Sequence, residues 1–448
     1  MALFKKYTFK GGVHPDDRKN LSSGQAIEIM PPPKIAYIPV QQHIGAPATI
    51  LVKPGDEVKK GQLIAQASGV VSANIHSSIN GIVKKIENLN TPIGRKSQTI
   101  IIERNDESET DFDEQHIENL DKKYIIEKIK EAGIVGLGGA TFPTHVKLSP
   151  PPGKSIDTLI INGAECEPYL TCDYRIMIEK TEDFLKGVML LKTALEVDNV
   201  YIGIEKNKPD AIHKLTEATA NLPIKVIGLE VKYPQGAEKQ LIYAILKKEV
   251  PSGGLPLDVG VVVQNVGTAY AIYEAIYKNK NLYERVLTVS GEGIKNPKNL
   301  LVRIGTPIAE VIEYCGGLKD DTIKVINGGP MMGIAIFDLN VPVIKGTSGI
   351  LALTKEQTAI YEEHNCISCG RCVDVCPMNL VPTMIMKNIK KDFTEETEKY
   401  GAMDCIECGS CAYVCPAKIN LVHYIRLAKS TIIANRRKAQ QTKGASNG

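Results

Sequence analysis

The residues with the clearest capacity for chemistry are cysteines, because eight of the eleven in this chain lie between Cys366 and Cys415. They form two runs with the same C-x2-C-x2-C-x3-C spacing, and a proline follows each run. The runs are Cys366, Cys369, Cys372 and Cys376, and then Cys405, Cys408, Cys411 and Cys415. Four thiols in such a short run, repeated once, are typical of ligands to two metal clusters.

In a run with this spacing, three cysteines bind one [4Fe–4S] cluster and the fourth binds the other, as in two-cluster bacterial ferredoxins. The predicted ligands of the first cluster are Cys366, Cys369, Cys372 and Cys415. The predicted ligands of the second cluster are Cys405, Cys408, Cys411 and Cys376. Structural zinc is disfavoured, because one tetrahedral ion does not account for the doubled triple spacing. A disulfide framework is disfavoured too, since the chain is long and shows no secretory signal.

Composition limits the classes of function. At 448 residues and 43% apolar composition, the chain is long enough for about three domains. Its formal charge of +3 predicts no nucleic-acid partner. No run approaches the length of apolar sequence that a membrane span needs, so we expect no transmembrane segment of its own. Work at a membrane would then require other subunits to hold the protein there.

Residues 1–30 predict a polar N-terminal lead, and residues 31–105 predict a small all-β module. Its candidate strands are Ile35–Val40, Thr49–Val52, Gln62–Ala65 and Ile82–Ile86. The stretch Pro54–Gly61 resembles the barrel-sandwich module of biotinyl and lipoyl carriers. Where those carriers have their modified lysine, this chain has Gln66-Ala67-Ser68-Gly69, so we expect a docking module rather than a covalent carrier.

After an acidic linker, Glu103–Glu118, residues 121–280 alternate between apolar strands and helices. This alternation is typical of an α/β layer on a largely parallel sheet. The predicted strands are Thr158–Ile161, Val200–Ile204, Ile224–Leu229 and Val259–Val263. The predicted helices are Asp121–Glu131, Tyr174–Leu195, Asp210–Ala220 and Glu238–Lys248. Ligands of such sheets usually bind at the carboxyl ends of the strands.

A glycine-rich loop, Gly133–Thr144, follows the first of these helices. It departs from the ordinary dinucleotide-binding fingerprint, because Thr141 replaces the third glycine and a helix precedes the loop. Close-set glycines let backbone N–H groups approach a phosphate or a flat ring. Taken alone, the loop is equally compatible with a tight turn. Three polar segments come later in the same layer: Asn162–Pro168, Tyr233–Glu238 and Gln264–Thr268.

Together these segments resemble the flavin- and NADH-binding segments of the flavoprotein subunit of respiratory complex I and of NAD-linked hydrogenases. The resemblance implies FMN contacts from Gly136, Gly138, Gly139, Ala140, Lys147, Asn162, Tyr233, Gly236, Asn265 and Thr268. It implies that Glu167 and Glu238 face the nicotinamide nucleotide, with Phe142 stacking, and that Glu165 of the same acidic turn belongs to the cofactor-binding set. Capping of turns or helix starts is the alternative role for Glu167 and Glu238.

The chain also departs from that family at four positions. Val135 and Leu137 stand where the family has arginines, Ala164 where it has Asp, and Ala237 where it has the first Glu. A flavin still has a clear purpose here, because NADH gives up two electrons as a hydride whereas an iron–sulfur cluster takes one at a time. We expect no acid–base catalytic residue.

Residues 285–350 resemble the small ubiquitin-like (SLBB-type) domain that follows the flavin domain in that flavoprotein. The predicted elements are strands Val286–Val289, Leu301–Ile304 and Ile323–Ile326 and helix Pro307–Cys315. Residues 355–436 predict a two-cluster ferredoxin-like helical module. Its predicted elements are a helix over Thr354–His364, a polar link over Lys387–Tyr400 and a helix over Ile419–Asn435. Residues 437–448 predict a disordered basic tail.

The sequence thus predicts an α/β multidomain protein, and its domain order resembles the C subunits of Rnf electron-transport complexes. The resemblance implies a subunit of an ion-translocating ferredoxin:NAD oxidoreductase at the cytoplasmic face of the cell membrane, held peripherally by other subunits. It implies two [4Fe–4S] clusters and FMN as cofactors, with NAD(H) as substrate. Two alternatives stay open. One is a soluble NADH-dependent flavin and iron–sulfur reductase of another acceptor, similar to cobalamin reductases, and the other is a non-catalytic iron–sulfur relay.

Overall fold

The computed structural model describes residues 6–105, 113–115, 117, 120–358 and 361–445. Most of the predicted acidic linker therefore lies outside the described residues. The described strands form four sheets, of six, four, four and three strands. The fold is mixed α/β, and the cysteine runs lie in a helical module at its C-terminal end.

The N-terminal lead contains one strand, β1 (Ile27–Ile29). The β module that follows contains β2 (Ile35–Pro39), β3 (Thr49–Ile50), β4 (Glu57–Val58), β5 (Leu63–Gln66), β6 (Ile75–His76), β7 (Gly81–Asn90) and β8 (Lys96–Arg104). These strands form two antiparallel sheets, β2-β8-β7-β4 and β3-β5-β6, which share one apolar core. The four predicted strands are confirmed. The strand β8 was not predicted, because its exposed Lys, Gln and Glu residues interrupt the apolar pattern.

The central layer contains β9 (Thr158–Gly163), β10 (Asn199–Glu205), β11 (Lys225–Leu229) and β12 (Val261–Asn265). Its helices are α1 (Lys122–Glu131), α2 (Thr144–Lys147), α3 (Cys172–Glu179), α4 (Thr181–Leu195), α5 (Pro209–Ala218), α6 (Glu238–Leu246) and α7 (Val266–Tyr277). The sheet order is β11-β10-β9-β12, and all three pairings are parallel. The predicted parallel sheet is therefore confirmed.

One predicted helix of this layer is wrong in its continuity. Tyr174–Leu195 was expected to be a single helix, but Lys180 leaves the helical conformation with φ of −122° and ψ of 34° and separates α3 from α4. The Thr181 hydroxyl donates to the Met177 carbonyl at 2.7 Å and to the Ile178 carbonyl at 3.3 Å. This side chain satisfies carbonyls that the interrupted helix would otherwise leave open.

The next domain contains β13 (Glu284–Ser290), β14 (Lys298–Arg303), α8 (Ile308–Tyr314), β15 (Thr322–Asn327), β16 (Ile334–Ile336) and β17 (Gly349–Thr354). Its sheet has the order β1-β14-β13-β17-β15-β16. The edge strand β1 comes from the N-terminal lead and pairs with β14 in parallel. The lead is therefore part of this domain's sheet, which its polar composition did not indicate.

Lys345, in the connection between β16 and β17, joins three domains in the interior. Its ammonium group donates to the carbonyl of Asn74 at 2.7 Å and to that of Gly133 at 2.6 Å. Its backbone N–H donates to the side chain of Gln42 at 3.0 Å. The residue is 1% exposed, and burial lowers the pKa of its amine to about 7.

A lysine with this pKa makes stability depend on pH. Because the folded-state pKa of Lys345 lies below its ordinary value of 10.5, the unfolded state binds more protons between about pH 7 and pH 10. Stability contributed by this residue therefore rises across that window. We expect Lys345→Met to lower the melting temperature, since each unpaired buried carbonyl costs about 1–3 kcal/mol, and to remove the rise.

Thermal unfolding near pH 7 and near pH 10 measures this effect. Lys324→Met, at an exposed position on β15, is the matched control and should keep the pH dependence of the wild type. A Lys345→Met variant with the same rise in melting temperature as wild type would contradict the assignment.

The C-terminal module contains α9 (Arg371–Asp374), α10 (Pro382–Ile389), α11 (Thr394–Lys399), α12 (Ser410–Tyr413) and α13 (Leu421–Ala445). The predicted helix Thr354–His364 is wrong in the residues that the structure describes there, because 355–357 form a turn and 361–364 have no regular structure. The polar link between the cysteine runs is largely helical. The predicted tail is also helical to Ala445 rather than disordered from 437, since its Ala, Lys, Arg and Gln residues favour helix.

Candidate functional site

The two cysteine runs fold as a local repeat. In each run the third cysteine lies on a single helical turn, α9 for Cys372 and α12 for Cys411. A glycine directly precedes each turn, Gly370 with φ of 78° and Gly409 with φ of 83°. Because glycine adopts this left-handed conformation without strain, the same sequence pattern produces the same backbone path twice.

The thiols of the two runs lie in two groups, and each group contains the last cysteine of the other run. One group lines a single cavity and consists of Cys366, Cys369, Cys372 and Cys415. The remaining four thiols, Cys376, Cys405, Cys408 and Cys411, lie near one another. The thiols therefore group across the two runs as the spacing predicts, and the binding of one cluster by each group stays a prediction.

Backbone donors point at several of these sulfurs. The N–H of Ser368 donates to Cys366 Sγ at 3.4 Å, and the N–H of Glu407 donates to Cys405 Sγ at 3.3 Å. Donors directed at sulfur stabilise a thiolate, the form that binds iron. In the described part of the chain, no three His, Cys, Asp or Glu residues are placed to hold one metal ion. A four-iron cluster spreads its four thiolates over four metal atoms, so the residues present fit such a cluster.

A second group of predicted site residues meets at the carboxyl edge of the parallel sheet. Asn162 on β9 and Asn265 on β12 are direct neighbours in the sheet. The side chain of Asn162 donates to the Gly236 carbonyl at 2.7 Å. A Cβ at Gly138 would lie 3.4 Å from the Asn265 side chain. The glycine-rich loop, the two asparagines and the Gly236 turn therefore surround one place.

The glycine-rich loop is fixed from behind and open in front. The N–H of Gly136 donates to the Phe142 carbonyl at 2.9 Å, which closes the loop around the exposed Gly138, Gly139 and Ala140. Behind it, the Leu137 N–H donates to the Thr268 hydroxyl at 2.9 Å. A Cβ at Gly139 would meet no described heavy atom within 4 Å. The loop thus presents a bare backbone surface to open space, which fits a flat ring or a phosphate.

Two departures from the complex I family are explained by packing. Val135 and Leu137, at the arginine positions of that family, are 0% and 5% exposed and belong to the main apolar core. A buried guanidinium is supplied from elsewhere, because Arg285 on β13 donates to the Leu137 carbonyl at 3.2 Å. Neither apolar side chain can contact a ligand in front of the loop.

The acidic turn after β9 holds two buried carboxylates with different surroundings. Glu165 Oε1 accepts the N–H of Asp173 at 2.7 Å, while its Oε2 is buried without a hydrogen-bond partner among the described residues. Burial raises the pKa of Glu165 to about 7. Asp173 accepts from the Asn265 side chain at 2.6 Å, so Glu165 lies beside the Asn162 and Asn265 pair. An orphaned buried oxygen there fits a bound polar ligand.

Glu167 is occupied by backbone donors of another loop. Its two carboxylate oxygens accept the backbone N–H groups of Met331 at 3.0 Å and Met332 at 2.8 Å. Burial raises the pKa of the Glu167 carboxyl to about 7. The carboxylate therefore holds the loop between β15 and β16. The capping role is therefore the better description of Glu167, because both of its oxygens already accept backbone N–H groups.

Glu238 has a different environment at the first residue of α6. Its Oε1 lies 2.7 Å from the Lys147 ammonium group, which also donates to the Val263 carbonyl at 3.1 Å. The side chains of Glu238 and Lys147 are 37% and 30% exposed. This partly exposed pair is accessible to a charged ligand that enters from solvent.

Tyr233 connects the two parts of the site. It is 1% exposed, and its hydroxyl donates to the Cys408 carbonyl at 2.7 Å. The same turn contains Gly236, whose N–H donates to Cys166 Sγ at 3.2 Å. The group of thiols that contains Cys408 therefore borders the place that Asn162 and Gly236 surround. Cys166 was missed by sequence analysis, because a lone cysteine carries no spacing signal.

The two groups of thiols differ in their exposure. The Cys408 group faces the central layer, where the Gln240 side chain also donates to the Pro377 carbonyl at 3.1 Å. In the other group Cys369 is exposed, and neighbouring Ile367 is 68% exposed. One group is therefore internal and the other lies at the surface.

Four family models match this chain, each over one domain. They are the RnfC barrel sandwich hybrid domain (residues 7–107), the Nuo51 FMN-binding domain (129–274), the SLBB domain (286–335) and the 4Fe-4S dicluster domain (358–416). A relative from Clostridium ljungdahlii is the C subunit of a proton-translocating ferredoxin:NAD(+) oxidoreductase complex. The chain is 51% identical to it over 427 residues, covering 94% of this chain and 93% of that protein. The chain belongs to the RnfC family.

A second relative agrees with this membership, and one solved structure shares the fold. This RnfC-family chain is 47% identical to the C subunit of the Na(+)-translocating ferredoxin:NAD(+) oxidoreductase complex of Acetobacterium woodii, over 97% of its length and 99% of that protein. An NAD+-reducing [NiFe]-hydrogenase in the air-oxidized state has a similar fold, with a TM-score of 0.50 and 18% identity, covering 65% of this chain and 60% of that one. None of the described helices has the length and apolar character of a membrane span.

Proposed function

We propose that this protein is the NAD(H)-interacting subunit of an ion-translocating ferredoxin:NAD oxidoreductase complex. It exchanges electrons with NAD(H) through FMN and two [4Fe–4S] clusters. The names of its relatives, the FMN-binding and dicluster domain matches and the two groups of four thiols support this proposal. The observation that carries it is the hydrogen bond from Tyr233 to Cys408. It joins the internal thiols to the candidate flavin place, which is the space that the glycine-rich loop, Asn162, Asn265 and the Gly236 turn surround.

The residues around the candidate flavin place have different roles in cofactor and nucleotide binding. Gly136, Gly138, Gly139 and Ala140 offer backbone to the flavin, and Asn162, Gly236, Asn265 and Thr268 hold the surrounding segments together. Bound FMN supplies the conversion between two-electron hydride transfer and single-electron transfer. Lys147 and Glu238 flank the solvent side, where they position the nucleotide.

The cluster ligands then form a path outward. Cys376, Cys405, Cys408 and Cys411 hold the internal cluster beside Tyr233. Cys366, Cys369, Cys372 and Cys415 hold the surface cluster, and the exposure of Cys369 suits exchange with another subunit. We place the protein peripherally at the cytoplasmic face of the cell membrane, held there by the other subunits.

Anaerobically purified, reconstituted protein tests the proposal. We expect about eight irons per chain, bound FMN, and bleaching of flavin and cluster absorbance on addition of NADH. Eight irons without flavin, and without NADH-dependent bleaching, would instead support a non-catalytic relay. Rapid reduction of a corrinoid acceptor by the isolated chain would support the cobalamin-reductase alternative.

A further inference from the structure

The N-terminal segment Phe9–Val13 lies between the central layer and the cluster module. It was expected to be part of a polar lead, yet Phe9 and Val13 are 6% and 5% exposed. We refer to these five residues as the clamp. Val13, Tyr233 and Cys408 pack in one buried apolar group, so the clamp contacts both the Tyr233 turn and the internal cluster ligands.

The clamp binds to both sides through its backbone. The N–H of Val13 donates to the Tyr233 carbonyl, and the N–H of Tyr233 donates to the Val13 carbonyl, each at 2.8 Å. The next residue back, Gly12, donates its N–H to the Val375 carbonyl at 2.8 Å, directly before Cys376. Adjacent backbone groups thus bond to the central layer on one side and to the cluster module on the other.

The two glycines of the clamp are required by this close packing. Gly11 has φ of 78°, and a Cβ there would lie 2.9 Å from the Cys376 carbonyl oxygen. Gly12 has φ of 82°, and a Cβ there would lie 2.6 Å from the Tyr233 carbonyl oxygen. Both the positive φ and the short distances exclude side chains. The backbone of the clamp therefore approaches the cluster module and the Tyr233 turn more closely than any other residue type would permit.

One side chain fixes the start of the clamp. The Lys232 ammonium group donates to the Phe9 carbonyl at 2.8 Å and lies 4.5 Å from the centre of the Phe9 ring. The residue before Tyr233 thus anchors the clamp to the same turn.

We propose that the clamp is a positioning element that sets the separation between the flavin and the internal cluster. The inference rests on the proposed function and deepens it. Between the central layer and the cluster module, the covalent chain passes through the whole ubiquitin-like domain, so docking of the two depends on noncovalent contacts such as these. A small displacement of reacting centres slows a reaction strongly, and electron transfer falls steeply with distance.

The clamp would affect the transfer of electrons from the flavin to the internal cluster, and NADH supplies both of these electrons. NADH delivers a hydride, that is two electrons and a proton, to the bound flavin and leaves as NAD+. Bound FMN would pass these two electrons singly, one to each of the clusters that the eight cysteines would hold, and would release the proton to solvent. The clamp takes part in neither bond breaking nor proton transfer, and it acts only on the geometry of the transfer from flavin to cluster.

Gly12→Ala in the full-length holoprotein tests the proposal, with Gly24→Ala as the matched control, because a Cβ at Gly24 would meet no described atom within 4 Å. We expect Gly12→Ala to retain iron and FMN and to show normal flavin bleaching by NADH. Its cluster bleaching should be slower by about tenfold or more. Hydrogen exchange should show lost protection at the amides of residues 12, 13 and 233, while the control behaves as wild type.

Two further measurements separate the outcomes. Tyr233→Phe retains the clamp but removes the hydroxyl donor near the internal cluster. It should therefore lower the midpoint potential of that cluster without loss of hydrogen-exchange protection at Gly12.

Equal rates of cluster bleaching in Gly12→Ala and Gly24→Ala would refute the positioning role of the clamp and leave the proposed function intact. Absence of flavin bleaching in the wild type would refute the proposed function. Unprotected amides at Gly12 and Val13 in the wild type would refute the clamp independently.

Discussion

Replacing Cys415 with alanine is expected to remove the cluster that the first cysteine run binds, although Cys415 is the last cysteine of the second run. The cavity that contains Cys366, Cys369 and Cys372 also contains Cys415. Loss of one thiolate of four leaves one iron without its protein ligand. Iron content should fall from about eight to about four per chain, and low-temperature EPR of the reduced protein should lose the signal of the surface cluster and its coupling to the other.

Two variants control this experiment. Cys376→Ala should remove the internal cluster instead, because that cysteine lies with the second group. Cys315→Ala, at a buried cysteine in the core of the ubiquitin-like domain, should leave both signals in place. Retention of the surface cluster in Cys415→Ala, together with loss of the internal one, would show that each run binds its own cluster.

Glu238→Gln is expected to weaken NADH binding by about tenfold, which corresponds to about 1.4 kcal/mol. Its carboxylate and the Lys147 ammonium group form a partly exposed pair 2.7 Å apart, which we propose flanks the bound nucleotide. The variant removes the negative charge and retains the size of the side chain. Titration of flavin bleaching with NADH measures the effect, and Glu249→Gln, at an exposed position of the same domain, should bind as wild type does.

Glu167→Gln tests whether Glu167 holds a loop, as its hydrogen bonds indicate, or contacts the nucleotide. Both of its oxygens already accept N–H groups from Met331 and Met332, and an amide nitrogen would place a donor against one of them. We therefore expect faster hydrogen exchange at those two amides and an NADH affinity close to that of wild type. A loss of affinity in Glu167→Gln equal to that in Glu238→Gln would restore the nucleotide role that the family resemblance implies.

Much of the fold could be predicted because its signals are local. The strands of the parallel sheet are five to seven residues long and each contains a short apolar run, as burial between layers of helices favours. Gly133 ends α1 with φ of 65°, as a glycine after a helix is expected to do. The strand β8 and the helix break at Lys180 were not predicted, because polar residues interrupt the apolar pattern of β8 and the break depends on a side-chain hydrogen bond of Thr181 that apolar periodicity does not report.

The sequence by itself determined which three thiols of each run can share a cluster, because only two residues separate each of these cysteines from the next. It also located the bare glycine surface and the polar segments of the flavin place. Only the tertiary structure decided what those segments contact. The Tyr233 hydroxyl on the Cys408 carbonyl, the two amides on Glu167 and the clamp on Val375 join residues more than a hundred positions apart. Such contacts depend on how whole domains dock, which is set by packing over large surfaces rather than by the local chain.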